Sequence, residues 1–337
     1  MDIRNPKNVK QAAKASLNAA SRDPRMLVLL HTAVALGAGL LVTVLNFILT
    51  RSIDSTGGLA GLQIRSMLST AQSVLQLASS LLLPFWQIGL LWAALAFARQ
   101  QTATPTTLLE GFRRFGPVLR LLLLRMVLLF AIGMVCVYAG SAIFMMTPLA
   151  RPITDLLIPM VSDASMLSDP TALLDDATMQ ALSQAILPAI PIVAVLFAAL
   201  AIPVLYRLRL SEFALLDTPK AGALAAFRDS LKLTRRNVFS LFRIDFSFWW
   251  FYLGNLLCLS VGYADLLLPL LGIPLPVSQD SAFFVCYIVS LFLQLALYWH
   301  SGAYVYTTQA VTYDALKQNQ QQPAPQPAPQ NLPWDYE

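Results

Sequence analysis

Long apolar stretches alternate with short polar ones along the whole chain. A helix that crosses a bilayer needs about 20 apolar residues, because the hydrocarbon core is about 30 Å thick and each residue rises about 1.5 Å. Six stretches answer to that length: Met26–Thr50, Val74–Phe97, Met126–Met146, Ile186–Tyr206, Phe246–Ala264 and one that opens with Ser281–Trp299. None shows the period-two alternation of a barrel strand, so the predicted fold is all-α and polytopic. The first stretch is too long for the apolar region of a signal peptide, which runs about 7–15 residues, and is expected to remain as an uncleaved span.

The polar segments carry their own pattern. Asn5-Pro6, Thr104-Pro105 and Thr218-Pro219 each place a capping side chain before proline, a helix-start signal. Each leads into an amphipathic stretch and then a pair of spans. The predicted architecture is therefore three hairpins, with pseudo-repeats at 5–99, 104–206 and 218–317, within one six-span domain, 1–317. In the first amphipathic stretch Val9, Ala12, Ala13, Ser16, Leu17 and Ala20 share one face, opposite Lys7, Lys10 and Lys14. The second sets Leu108, Leu109, Phe112 and Phe115 beside Arg113 and Arg114. The third sets Leu224, Phe227 and Leu231 against Arg228, Lys232 and Arg235. Basic amphipathic helices of this kind lie in the membrane interface. They are equally able to pack on the ends of the spans.

The other connections are simpler. Arg51–Ser73 holds Gly57-Gly58 and then a short helical pattern. Thr147–Ala185 is long and acidic, and Ser168-Asp169-Pro170 is expected to open a helix reaching about Gln184. Its aspartates are spaced too irregularly for an EF-hand loop and read as a solvated face. Asp265–Asp280 holds three prolines and is expected to be compact. The segment 318–337 is Gln- and Pro-rich and is expected to be disordered, because it has too little apolar surface to bury.

Composition agrees with a membrane class. Hydrophobic residues make up 57% and charged residues 12% of the chain, where soluble domains carry about a quarter charged. Charge then orients the spans. Of the 23 Lys and Arg, 20 fall in the odd-numbered polar segments, which include both ends of the sequence. Short basic segments resist translocation, so these segments and both termini are expected in the cytoplasm. The net +5 is thus concentrated on one side, where anionic lipid explains it and nucleic acid is not needed. Cys136, Cys258 and Cys286 lie within spans and read as inert buried thiols.

Candidate chemistry gathers near the cytoplasmic ends of the spans. His31, Arg207, Arg209 and His300 join Arg120, Arg125 and Arg243 at one depth. A basic site for an anionic head group would draw on Arg113, Arg114, Arg120, Arg125, Arg235, Arg236 and Arg243, oriented by Asp245 and Glu212. The plainer alternative is that the arginines snorkel to the interface while the carboxylates pair with them. Asp245 is too short to snorkel and is expected to find a partner on another segment, Arg125 or Arg120. Near the midplane only Gln87, Asn255 and Gln294 are polar, which suits packing across helices better than ion-coupled transport. No metal-binding cluster, phosphate loop or nucleophile motif is present, so no catalytic residue, metal or cofactor is assigned.

Three segments resemble one bacterial group. They are Gly111-Phe112-Arg113-Arg114-Phe115-Gly116 entering a span, Ala226–Arg236 running into Leu241–Phe248, and the Lys10–Leu17 pattern. They resemble the uncharacterised multi-pass membrane family called domain of unknown function nine-seven-five. In organisation it is similar to the membrane domain of some glycerophosphodiester phosphodiesterases. The resemblance covers the chain to about Lys317 and implies fold and location only.

The functional expectation is a non-enzymatic membrane protein that engages anionic lipid, or a partner membrane protein, through its basic helices. A transporter or channel for a small or amphiphilic substrate is the second reading. An intramembrane lipid-modifying enzyme, with Asp245 near a histidine, is the third.

Overall fold

The computed structural model describes residues 3–20, 23–55, 58–155, 180, 184–218, 220, 222–270, 272–273 and 279–321, with side chains outside 52–63, 270 and 279–280. Every regular element among them is a helix. Five helices are long and apolar enough to cross a membrane, or six if one bent pair counts as a span. The chain is thus an integral membrane protein of all-α class. The expected helix opening at Ser168, most of the acidic stretch around it, the part of the three-proline connection that holds Pro274 and Pro276, and the tail from Gln322 lie outside the described residues; the first part of that connection, with Pro269, is helical.

The helices group into two compact units, 122–208 and the rest. In the larger unit α1 (Pro6–Asn18) is followed by α2 (Pro24–Ser55) and α3 (Gly58–Ala98). A 3-10 turn (Pro105–Leu109) leads into the single turn α4 (Glu110–Arg113). The helix α5 (Phe115–Met145) runs from this unit into the smaller one, which also holds α6 (Ala189–Leu208). The chain returns to the larger unit with α7 (Ser211–Asp217), α8 (Gly222–Thr234), α9 (Val238–Phe246), α10 (Trp249–Gly262), α11 (Ala264–Leu270) and α12 (Gln279–Gln321).

Several expected boundaries moved. The short pattern after Gly58 and the second span are one helix of 41 residues, about 60 Å long. The sixth span does not stop near Trp299. It continues through Leu316, where its residues are the most buried of the helix, and takes the first part of the expected tail with it. The fifth span is broken: α9 and α10 meet at a 63° bend, and α10 has only 14 residues. Its C-cap is Tyr263, so its helical rise is about 21 Å, less than the hydrocarbon thickness.

The starts of the amphipathic helices follow the sequence twice out of three times. Asn5 Oδ1 accepts the Lys7 N–H at 3.0 Å, and the Thr104 N–H donates to Thr107 Oγ1 at 2.9 Å. Thr218 instead closes α7, where its N–H and its hydroxyl both donate to the Ala214 carbonyl. The helix expected after it begins at Gly222, which has φ +81°.

Burial concentrates in one layer of the larger unit. Leu27 and Val28 of α2, Leu90, Ala93 and Phe97 of α3, Leu108 and Ala303 of α12 form one cluster. Val9 and Ala13 of α1 meet Ile244 of α9 and Val311 of α12 in a second. The outer parts of α2, α3 and α12 instead display exposed leucine, isoleucine and valine, as lipid-facing helices do. The segment 105–113 lies almost backbone to backbone on α3. A Cβ on Gly89 would sit 1.9 Å from the Leu108 carbonyl oxygen, and one on Gly111 2.0 Å from that of Phe85. Only glycine allows this approach. The Phe85 ring stacks on Phe112 and Phe115 at 5.7 and 4.8 Å. The second basic element is therefore a packed turn and not the amphipathic helix expected.

In the smaller unit α6 comes close to α5 at Gly140, where a Cβ would meet Val193 Cγ2 at 2.6 Å. Phe144, Ala150, Ile153 and Ala185 form its buried cluster.

Candidate functional site

The buried layer ends in charge. α3 stops in a Schellman turn: Gln101 N–H donates to the Ala96 carbonyl, Gln100 N–H to Phe97, and Gln100 takes φ +57°. This turn places Arg99 at the helix end. Its guanidinium grips Asp314 of α12 with two hydrogen bonds, 3.0 and 2.7 Å, and donates a third to Asp217 of α7 at 2.8 Å. Asp217 also accepts from the Tyr313 hydroxyl at 3.1 Å and from the Lys317 ammonium. Two cations thus face two carboxylates. The bond to Asp314 raises the Arg99 pKa above its ordinary value; burial opposes this and Asp217 adds to it. The set is internally neutral and ties three helices together. None of its members was singled out in the sequence, because no local pattern links Arg99 to a residue more than two hundred positions away.

Asp245 is buried, as a carboxylate with a partner should be. The partner is Arg209, at the break between α6 and α7, with the Tyr252 hydroxyl at 3.4 Å. The expected Arg125 or Arg120 does not take that place. Around Asp245 the free space is about 10 Å³, enough for about one water. Glu212 lies in the first turn of α7 and is half-buried.

The predicted arginines divide. Arg114 is used internally: it donates to the Leu216 carbonyl at 2.9 Å and to Glu110 at 3.1 Å, and lies over the Trp92 ring at 4.6 Å. Arg125 is half-buried in the smaller unit. Arg113 is 67% exposed with a loose pairing to Glu110, at 3.6 Å. Arg120, Arg235, Arg236 and Arg243 are exposed. Around the last three stand apolar side chains the sequence pattern would have buried. Leu224 and Leu231 face outward beside Arg228 and Lys232, while Ala223, Phe227, Ser230 and Leu233 form the buried stripe of α8. On α9 Leu241, Ile244 and Asp245 are buried, while Phe239, Phe242, Arg243 and Phe246 form the exposed face at helical spacing. Trp249 and Trp250, at the bend, are exposed too.

The first basic helix behaves differently. Val9, Ala13 and Ser16 are buried and Lys7 and Lys14 exposed, as the pattern predicts. Lys10 departs from it. Its ammonium donates to the Ser247 carbonyl at 2.8 Å and lies 4.0 Å from the centre of the Phe248 ring, so it fastens α1 onto the bend between α9 and α10. Burial lowers its pKa.

Deeper polar groups serve packing. Asn255 and Gln294 bond within their own helices, to the Phe251 carbonyl and to Ser290. The bond between helices that they were expected to make comes from Ser290, whose hydroxyl donates to the Cys258 carbonyl at 2.8 Å. The His31 ring is buried and stacks on Trp86 at 5.5 Å, while the Trp86 indole donates to the His31 carbonyl. An apolar cavity of about 500 Å³ lies between α2 and α3, with Trp86 and Tyr287 on its walls.

Residues 1–320 match the model of one family, described as a protein of unknown function (DUF975). The chain belongs to that family. No curated protein and no solved structure matches it.

Proposed function

We propose that this DUF975 member is a non-enzymatic protein of the bacterial cytoplasmic membrane that holds anionic lipid at its cytoplasmic face. Both termini lie on that face, and the chain is three hairpins, each entered through a basic segment. The observation that carries the proposal is the exposed face of α8 and α9. There Arg228, Arg235, Arg236 and Arg243 stand among exposed Leu224, Phe239, Phe242 and Phe246, with Trp249 and Trp250 beside them. Aromatic rings seat at head-group depth, and arginine above them meets lipid phosphate. Arg113 and Arg120 add to the same charge. Arg114, Asp245 and Arg209 hold the scaffold: each already has its partners within the protein.

The test is the lipid that travels with the full chain through purification in a mild detergent. Phosphatidylglycerol and cardiolipin are expected to be enriched over phosphatidylethanolamine, and to leave as salt is raised, because the attraction is electrostatic. Bound lipid of the same composition as the bulk membrane, unmoved by salt, contradicts the proposal. A protein that co-purifies in place of lipid would favour a membrane partner at this face.

A further inference from the structure

A second basic site lies apart from those arginines. A cavity of about 570 Å³ opens where α1, the start of α2 and the middle of α12 converge. Its walls include Lys14, Arg25, His300 and Tyr304, together with Asn18 and Asp23. The volume falls in the range of small-ligand pockets, about 300–1,000 Å³. Its chemistry is that of an anion receptor. Lys14 and Arg25 are basic and exposed, with no ion pair among the described residues. His300 and Tyr304 stand one helical turn apart on α12 and both line the pocket. The one carboxylate, Asp23, is already committed: its Oδ1 accepts the Arg25 backbone N–H at 3.0 Å and caps α2. The positive end of the α2 dipole points the same way. Each feature alone would be an ordinary surface; together they line one half-open pocket.

We propose that Lys14, Arg25, His300 and Tyr304 form a binding pocket for one phosphate group, that of a lipid head group or of a free phosphate ester. Arg25 of α2 supplies the planar fork that matches phosphate oxygens, and Lys14 of α1 supplies a point charge. Pro24 begins the first span, so a phosphate held here sits at the membrane boundary. The pocket does not depend on the α8–α9 face, because none of that face's arginines lines it.

The test uses the full-length protein in detergent, with calorimetric titration of short-chain phosphatidylglycerol, glycerol 3-phosphate and inorganic phosphate. The Lys14→Gln/Arg25→Gln double variant is expected to weaken phosphate-ester binding by about tenfold or more. Arg25→Lys keeps the charge but loses the fork, so it should fall between the unaltered protein and the double variant, and Arg235→Gln/Arg236→Gln should leave the affinity within about twofold, being remote charges screened by salt. Both substituted positions are exposed, and an unchanged melting temperature shows that the fold survives. Binding of the lipid alone assigns the pocket to a head group; equal binding of glycerol 3-phosphate assigns it to a soluble ester, and either sustains the pocket. No binding of any probe to the unaltered protein, or equal binding by the double variant, overturns it. Retention of all bound lipid after the α8–α9 arginines are neutralised, with this pocket intact, would count against the proposed function alone.

Discussion

Arg99 and Asp314 are joined by two parallel hydrogen bonds across 215 positions of sequence. This pair closes the larger unit: it ties the end of α3 to the last turns of α12, and through Asp217 it draws in α7. Replacing Arg99 by glutamine leaves Asp314 without its cation and Asp217 with Lys317 and the Tyr313 hydroxyl. The expected loss is about 2 kcal/mol, below the figure for a fully buried pair because the guanidinium is partly exposed. Thermal unfolding in detergent measures it. The Arg99→Gln/Asp314→Asn double variant should lose less than the sum of the two single changes, because each breaks the same pair of bonds. Additive losses would mean the two residues are energetically independent.

The contact of residues 105–113 with α3 makes a sharper prediction. Gly89→Ala and Gly111→Ala each push a methyl group into a backbone carbonyl, which cannot rotate away as a side chain does. Each should cost about 1–3 kcal/mol or more. The control lies three residues beyond that segment. Gly116 of α5 has nothing within 4 Å of its would-be Cβ, so Gly116→Ala should be neutral or raise stability by up to about 1 kcal/mol. Equal effects at Gly111 and Gly116 would refute the close packing.

How far the sequence reaches is visible in these same residues. Hydropathy located the spans, since a bilayer demands about 20 apolar residues whatever their neighbours. It gave α1 its buried face at Val9, Ala13 and Ser16. It misjudged α8, where Leu224 and Leu231 face outward, because beside a membrane the largest apolar residues are not driven into the protein. It misread Arg113-Arg114 as one surface. Arg114 turns inward to the Leu216 carbonyl and Trp92, a choice made by residues a hundred positions on. Asp245 was recognised as needing a partner because its side chain is short. Which arginine answered depended on the break between α6 and α7, which apolar periodicity does not mark. The Arg99 cluster is invisible for a similar reason: its four charges come from three distant helices.

Lys10 gives a prediction that separates the two faces of α1. Lys10→Gln removes the bond to the Ser247 carbonyl and the contact with the Phe248 ring, together worth about 1 kcal/mol. Backbone amides of 6–18 should exchange hydrogen faster in that variant. Lys7→Gln, on the exposed face, should leave exchange unchanged. If both act alike, Lys10 is not a fastening.

The turn after α3 offers a stabilising change. Gln100 holds φ +57°, which costs a residue with a Cβ about 1 kcal/mol relative to glycine. Gln100→Gly should raise the melting temperature without altering bound lipid. A fall would show that the Gln100 side chain contributes more than its backbone costs.

The claim at the centre is that exposed arginines beside α8 and α9 hold anionic lipid while their inward neighbours hold the fold. Its most direct test is the phospholipid bound to the full chain carrying Arg113→Gln, Arg235→Gln, Arg236→Gln and Arg243→Gln, measured by native mass spectrometry beside the unaltered protein. Loss of most bound phosphatidylglycerol and cardiolipin, at an unchanged melting temperature, is the predicted result. Full retention of both lipids by a stable quadruple variant would contradict it.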